Sequence, residues 1–235
     1  ANDLLDYKKQ TDTADRIGPL RVTQAGLATP KQTATATFIV FALAFLAGIY
    51  LVSRGGWPIA IVGLTSILFG ILYTAGPLAL GYIGLADTFV FIFFGPVALA
   101  GTYYVQTLDM SWPVILAGVP FGMISTAILV VNNLRDIDTD ARGGKRTLAV
   151  RYGRTFARWQ YLTMLGGAAL IPVIMSVFDL AGPYLTLAAL YLLLARKPVK
   201  AVFTSRDGET LNDTLADTGK LLIIYGILFG IGWNL

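Results

Sequence analysis

Long apolar stretches alternate with short polar segments along nearly the whole chain. A helix needs roughly 20 apolar residues to cross the hydrocarbon core of a bilayer. Seven stretches approach or reach this length, at residues 33–53, 58–76, 87–107, 112–133, 159–178, 180–195 and 219–235. The pattern predicts an all-α fold, a multi-span transmembrane helix bundle with seven spans here.

The polar connections between these stretches are of two kinds. Short turns near residues 55–58, 109–113 and 179–183 carry the Gly and Pro that reverse a helical hairpin. Longer segments at 1–32, 134–158 and 196–218 carry most of the charge. We therefore expect one all-helical membrane domain with three large loops.

The placement of the basic residues that give the net charge of +4 indicates a membrane topology and not binding to nucleic acid. All of the 18 basic residues except Arg54 lie in or beside the three long loops, which seven spans place on one side of the membrane. Lys and Arg accumulate on cytoplasmic loops. We expect an integral protein of the bacterial inner membrane whose long loops are cytoplasmic and which binds no nucleic acid.

Composition narrows the chemistry further. The chain is 55% hydrophobic and 14% charged, and it contains neither His nor Cys. Thiolate catalysis, a disulfide framework and imidazole ligands are therefore excluded. Carboxylates, amides and hydroxyls remain as ligands for a substrate or a metal.

Two acidic clusters lie at membrane boundaries on the same predicted face, where ionisable groups are functional candidates. The first contains Asn2, Asp3 and Asp6, and the second contains Asp136, Asp138 and Asp140. Asn2 and Asp6, like Asp136 and Asp140, are four residues apart and project from one face of a helix. Mg²⁺ prefers such oxygen ligands and keeps bonds to phosphate, so we interpret both clusters as a Mg²⁺ and diphosphate site. The alternative is that both are solvated helix ends.

A diphosphate also needs cationic partners, and Arg and Lys flank both clusters. Lys145 and Arg146 are favoured because they follow Gly143 and Gly144, where the backbone can bend close to a ligand. The alternative role of these basic side chains is to fix topology alone. The diphosphate candidates are Lys8, Arg16, Arg21, Arg135, Lys145 and Arg146.

These residues resemble the motifs of a known family. Residues 2–7 with 16–21 are similar to the first motif of the UbiA-type intramembrane prenyltransferases, and residues 132–140 with 144–148 are similar to the second. The second motif resembles the form found in the branch that prenylates 1,4-dihydroxy-2-naphthoate, the MenA branch. Residues 73–77, 81–84 and 101–104 also resemble that branch.

The resemblance implies a nine-helix fold around a cavity open to lipid, and a place in menaquinone or phylloquinone synthesis. It implies that Asn2, Asp6, Asp136 and Asp140 hold Mg²⁺ and diphosphate, and we add Asp3 as a metal candidate. Against the family pattern, residues 1–235 are expected to form a single prenyltransferase domain that lacks the first helix and most of the second. The basic loop of the 4-hydroxybenzoate branch is absent at residues 73–80.

The predicted reaction is attack of an electron-rich aromatic ring on the allylic cation of a prenyl diphosphate, with loss of CO₂ if the acceptor is the naphthoate. Aromatic faces stabilise cations, and Tyr73, Tyr103 and Tyr104 are the catalytic candidates. Tyr at the end of a span is also a common interface anchor.

Other interpretations stay open. A prenyltransferase for 4-hydroxybenzoate, homogentisate or a porphyrin would share both aspartate motifs, and prenyl length is undetermined. A membrane transporter is the non-enzymatic alternative, although it would place charges or broken helices at mid-membrane. A CDP-alcohol phosphotransferase is disfavoured because its continuous D-x-x-D-G-x-x-A-R motif is not found.

Overall fold

The structure is a computed structural model that describes residues 4, 7, 21–73 and 79–235. Within these residues the regular elements are helical. In chain order they are α1 (Pro30–Leu72), α2 (Ala86–Ile92), a π-helical turn (Phe93–Val97), α3 (Ala98–Thr107), α4 (Trp112–Arg135), α5 (Ile137–Arg142), α6 (Leu148–Val177), a 3₁₀ helix (Pro183–Tyr191), α7 (Leu192–Thr204) and α8 (Gly208–Asn234).

The predicted multi-span bundle is confirmed, and the described residues contain five candidate spans by length and apolar composition instead of seven. The first two predicted spans are merged in α1, whose 43 residues are interrupted at Gly56 by φ 67° and ψ −153°. The sixth predicted span is divided into the 3₁₀ helix and the short α7. The differences arise because apolar length alone does not reveal where a helix changes its hydrogen-bonding pattern.

Side chains at the helix starts fix where several elements begin. Thr29 and Gln32 form a reciprocal capping box at the start of α1. Thr147 accepts a hydrogen bond from the Val150 N–H at the start of α6, and Asp207 accepts one from the Thr210 N–H at the start of α8. Each cap satisfies a backbone donor that the helix itself leaves unpaired.

Helix α4 lies at the centre of the bundle. Its most apolar stretch is 56% buried, and it packs against α2, α6 and α8. In contrast, none of the corresponding stretch of α1 is buried, as expected of a helix that faces lipid.

Glycines let the π-helical turn approach α4 closely. A Cβ on Gly118 would lie 2.6 Å from the Pro96 Cα, and one on Gly95 would lie 2.6 Å from the Gly122 Cα. Small residues commonly permit such contacts between membrane helices. This packing fixes the height of α2 relative to α4.

Candidate functional site

The buried guanidinium of Arg135 organises the end of α4. Its side chain is 1% exposed, and Nε and Nη2 donate to the two oxygens of Asp136 at 2.7 and 2.5 Å. Nη2 also donates to Asn132 at 2.8 Å, and Nη1 donates to Asn212 of α8 at 2.5 Å. The predicted diphosphate residue Arg135 therefore already uses Nε and both terminal nitrogens within the protein, and it positions Asp136.

Asp136 and Asp140 lie on successive turns, as their spacing predicted. The Asp140 N–H donates to the Asp136 carbonyl at 2.8 Å. Lys145 Nζ lies 3.1 Å from Asp140 Oδ1. Burial raises the pKa of the Asp140 carboxyl above its ordinary value, while Lys145 opposes that rise and the charge of Asp136 adds to it. Each carboxylate thus has a basic partner in this structure, Arg135 for Asp136 and Lys145 for Asp140.

Helix α6 holds the short helix α5 in place. Arg154 donates to Asp138 Oδ2 at 2.8 Å and to the Leu134 carbonyl at 3.2 Å. The Asp138 side chain is 82% exposed and lies apart from the buried Asp140. Asp138, the middle aspartate of the motif, therefore forms an ion pair at the surface.

The segment before α2 packs on the loop that follows α5. The Arg146 N–H donates to the Tyr82 carbonyl at 2.8 Å, and Arg151 Nη2 donates to the Ile83 carbonyl at 2.8 Å. Gly84 adopts φ +77°, and a Cβ there would lie 2.8 Å from the Arg146 carbonyl oxygen. Lys145 Nζ also lies 5.3 Å from the centre of the Tyr82 ring. Tyr82, which was not among the predicted site residues, is thereby brought to the carboxylates.

Tyr73 is at the same end of the bundle. Its carbonyl accepts a hydrogen bond from the Gly81 N–H at 3.0 Å, one residue from Tyr82. Arg21, also predicted for diphosphate binding, is half-buried. The remaining first-motif predictions, Asn2, Asp3, Asp6, Lys8 and Arg16, lie outside the described residues.

Tyr103 and Tyr104 are at the other end of the bundle. Tyr103 lines a pocket of about 640 Å³ with Val114 near the start of α4. The 22-residue separation of Val114 from Asp136 corresponds to roughly 33 Å at 1.5 Å per residue. A Cβ on Gly55 would lie 3.4 Å from the ring of Tyr104. A cation–π contact requires a separation of about 6 Å, so neither ring in this structure contacts a group held at Asp136 and Asp140.

Comparison with known proteins identifies the family. The model of the UbiA prenyltransferase family matches residues 1–223. The chain belongs to the UbiA prenyltransferase family.

Curated relatives cover nearly the whole chain. A protein of Mycobacterium tuberculosis named 1,4-dihydroxy-2-naphthoate octaprenyltransferase is 40% identical over 97% of this chain and 76% of its own length. Proteins of the same name from Escherichia coli and Haemophilus influenzae are 35% and 34% identical, each over 99% of this chain and 77% of its own length. The family predicted from the two aspartate motifs is confirmed.

The donor set of this prenyltransferase suits Mg²⁺. Asp136 and Asp140 offer hard oxygen ligands one helical turn apart. Among the described residues no group of three or more acidic, His or Cys side chains is assembled. Further protein ligands would have to come from the first motif, whose acidic residues lie outside them.

Sequence reasoning missed the polar partners supplied by distant helices. Asn212 is 77 positions from Arg135, and Gln160 is 73 positions from Asp87, to which it donates at 2.9 Å. A single Asn or Gln within a helical segment does not form a recognisable sequence motif. Asp87 is an ionisable residue at the first position of the apolar stretch 87–107, and this position is the signal that could have identified it as a candidate.

Proposed function

We propose that this family member transfers a prenyl group from an allylic prenyl diphosphate to 1,4-dihydroxy-2-naphthoate, with Mg²⁺ as cofactor and with loss of CO₂. The observation that carries the proposal is that relatives 34–40% identical over nearly the full chain bear the name of this activity. The carboxylate pair at the end of α4 supplies chemistry suited to a diphosphate donor.

At the donor end, Asp136 and Asp140 would hold Mg²⁺ together with Asn2, Asp3 and Asp6 of the first motif. When bound, the metal would neutralise negative charge on the departing diphosphate. Arg135 keeps both oxygens of Asp136 oriented through its two hydrogen bonds. Its burial means that orientation, and not direct phosphate binding, is its role in the proposal.

Lys145 and Arg146 are the described cations best suited to contact the diphosphate. The Lys145 side chain is 25% exposed, and its present partner is Asp140. Arg146 is exposed, while its backbone is held by Tyr82. Exchange of the Asp140 contact for a phosphate oxygen would need only a rotation of the flexible lysine stem. Lys8, Arg16 and Arg21 stay predicted partners from the first motif.

In the proposed transfer, the bond between the prenyl C1 and the diphosphate oxygen breaks, and its electron pair leaves with the diphosphate. The ring carbon that bears the carboxylate forms the new bond to C1. Loss of CO₂ returns an electron pair to the ring, so the reaction needs no oxidant or reductant. Of the three predicted tyrosines, Tyr73 is at the carboxylate end and is retained as the candidate to stabilise the allylic cation.

We further propose that the protein lies in a bacterial inner membrane with the carboxylate end facing the cytoplasm. The hydrogen bond from Arg158 to the Val202 carbonyl joins two of the basic loop regions. Arg54 instead contacts the Val105 carbonyl near the far end of α3. This arrangement supports the proposed orientation because basic residues favour the cytoplasmic side.

Membranes that contain the protein would be given labelled prenyl diphosphate with 1,4-dihydroxy-2-naphthoate, 4-hydroxybenzoate or homogentisate, with Mg²⁺ or with a chelator. We expect metal-dependent prenylation of the naphthoate together with release of CO₂. Turnover of another acceptor alone would overturn the proposed substrate, and turnover in chelator would overturn the metal requirement.

A matched pair of variants tests the site. Asp136→Asn removes a charge oriented by Arg135, whereas Asp138→Asn makes the same chemical change on an exposed side chain of the same motif. We expect the first to abolish turnover while the protein stays folded, and the second to retain most of it. Equal activity of the two variants would remove Asp136 from the metal site.

A further inference from the structure

Asp87 is a buried carboxyl group that the proposed donor site does not use. It is 5% exposed and lies in the first turn of α2. Oδ1 accepts a hydrogen bond from Gln160 Nε2 at 2.9 Å. Oδ2 is buried and has no hydrogen-bond partner among the residues that the structure describes. A buried oxygen left unpaired is costly, so this one is a candidate to receive a ligand donor.

Packing within the bundle fixes the height of this carboxyl group. Thr126 of α4 lies beside Asp87, with its hydroxyl 3.5 Å from the Asp87 carbonyl oxygen. Ten residues of helix separate Thr126 from Asp136, which corresponds to about 15 Å along α4. Asp87 therefore lies deeper in the bundle than the donor carboxylates, yet on their half of α4.

The pair formed by Asp87 and Gln160 leaves one buried carboxylate oxygen without a hydrogen bond among the described residues. Gln160 is half-buried, whereas Asp87 is almost wholly enclosed. Gln160 uses its amide N–H₂ to hold Oδ1, which leaves Oδ2 as the free acceptor. A neutral hydroxyl group is the smallest common donor that could pair with Oδ2 at this depth without adding a charge to the bundle.

We propose that Asp87, held by Gln160, accepts a hydrogen bond from a ring hydroxyl of the aromatic acceptor. The inference rests on the proposed function and assigns the acceptor subsite within it. Such a subsite orients the ring beneath the prenyl diphosphate. It also discriminates against rings that lack the hydroxyl group, because such a ring would leave the buried oxygen of Asp87 unpaired.

A purely structural role would give a different result. A carboxylate in the first turn of a helix interacts favourably with the helix dipole, and Asp87 occupies such a position. In that case, replacement would change stability without changing recognition of one hydroxyl group. The decisive measurement is therefore selectivity between ligands and not activity alone.

The test uses whichever hydroxylated acceptor the wild-type protein turns over in the assay above. Acceptor analogues that lack one ring hydroxyl at a time would be measured as competitive inhibitors, for wild type, Asp87→Asn and the control Asp179→Asn. The control makes the same change on an exposed residue in an outer turn. For the naphthoate, the analogues are 1-hydroxy-2-naphthoate and 4-hydroxy-2-naphthoate.

We expect wild type and Asp179→Asn to bind one analogue about 10- to 100-fold more weakly than the parent acceptor, the range of one hydrogen bond to a charged group. Asp87→Asn should lose that discrimination and raise the KM for the acceptor, with the KM for the prenyl diphosphate unchanged. If Asp87→Asn does not fold, Gln160→Leu provides the same comparison through loss of the group that holds Asp87. Discrimination that persists in a folded variant overturns the inference, whereas failure of the wild-type protein to use the naphthoate overturns the proposed substrate alone.

Discussion

Replacement of Arg135 by Met tests whether this residue is a buried framework for the site. The change removes one charge and four hydrogen bonds of 2.5–2.8 Å, and it leaves Asp136, Asn132 and Asn212 without their shared donor. Removal of one partner of a buried ion pair typically costs about 3–5 kcal/mol, because the other charge stays buried and unpaired. We expect Arg135→Met to lose about this much stability and nearly all turnover.

Arg142→Met is the matched control. Arg142 is exposed at the end of α5, where Nε makes a long contact of 3.4 Å with the Asp138 carbonyl. Loss of an exposed charge costs about 0–1 kcal/mol. Unfolding would be followed by circular dichroism as the fraction of denaturing detergent in mixed micelles rises. Equal stability loss in the two variants would refute the framework role of Arg135.

Two further predictions concern the same end of the bundle. Burial raises the pKa of the Asp140 carboxyl in the folded protein. In the presence of chelator, ionisation of this carboxyl therefore destabilises the folded state. The effect is absent below the ordinary Asp pKa and grows as pH rises through the folded-state value. Unfolding measured against pH should therefore show Asp140→Asn gaining stability over wild type towards neutral pH, whereas Asp138→Asn should not; a constant difference would contradict the sign. Gly84→Ala and Gly26→Ala both place Ala at positive φ, costing about 1–2 kcal/mol each. Since only the Gly84 substitution brings a Cβ to 2.8 Å from Arg146 O, it alone should also raise the KM for the donor, and equal KM values would exclude that contact as a determinant.

The helical membrane fold was predictable because apolar length is a strong signal. The turn near Gly55 and Gly56 was located from composition, and the structure breaks α1 at Gly56. The division of the sixth stretch at Tyr191 and Leu192 was not predictable, since 3₁₀ and α-helical segments share the same apolar composition. Hydropathy reports the environment of a residue and does not report the hydrogen-bonding pattern of its backbone.

The candidate site was predictable where it depends on local spacing. Asp136 and Asp140 are four residues apart, and the structure keeps them on adjacent turns. The role of Arg135 was not predictable, because one of its hydrogen-bond partners is Asn212, on a helix far along the chain. A basic residue within a motif suggests phosphate binding, and only packing reveals that its donors are already used.

The functional candidates lie at three different depths along α4. Charged groups gather beyond Arg135, the Asp87 carboxyl group lies beside Thr126, and the apolar pocket at Val114 lies near the opposite end. Because cation–π and hydrogen-bond interactions act only over a few ångströms, groups at these three depths cannot share one reacting atom. A tyrosine near a span end therefore has to be assigned by which end it occupies. On that criterion Tyr73 belongs with the carboxylates, whereas Tyr103 belongs with the apolar pocket.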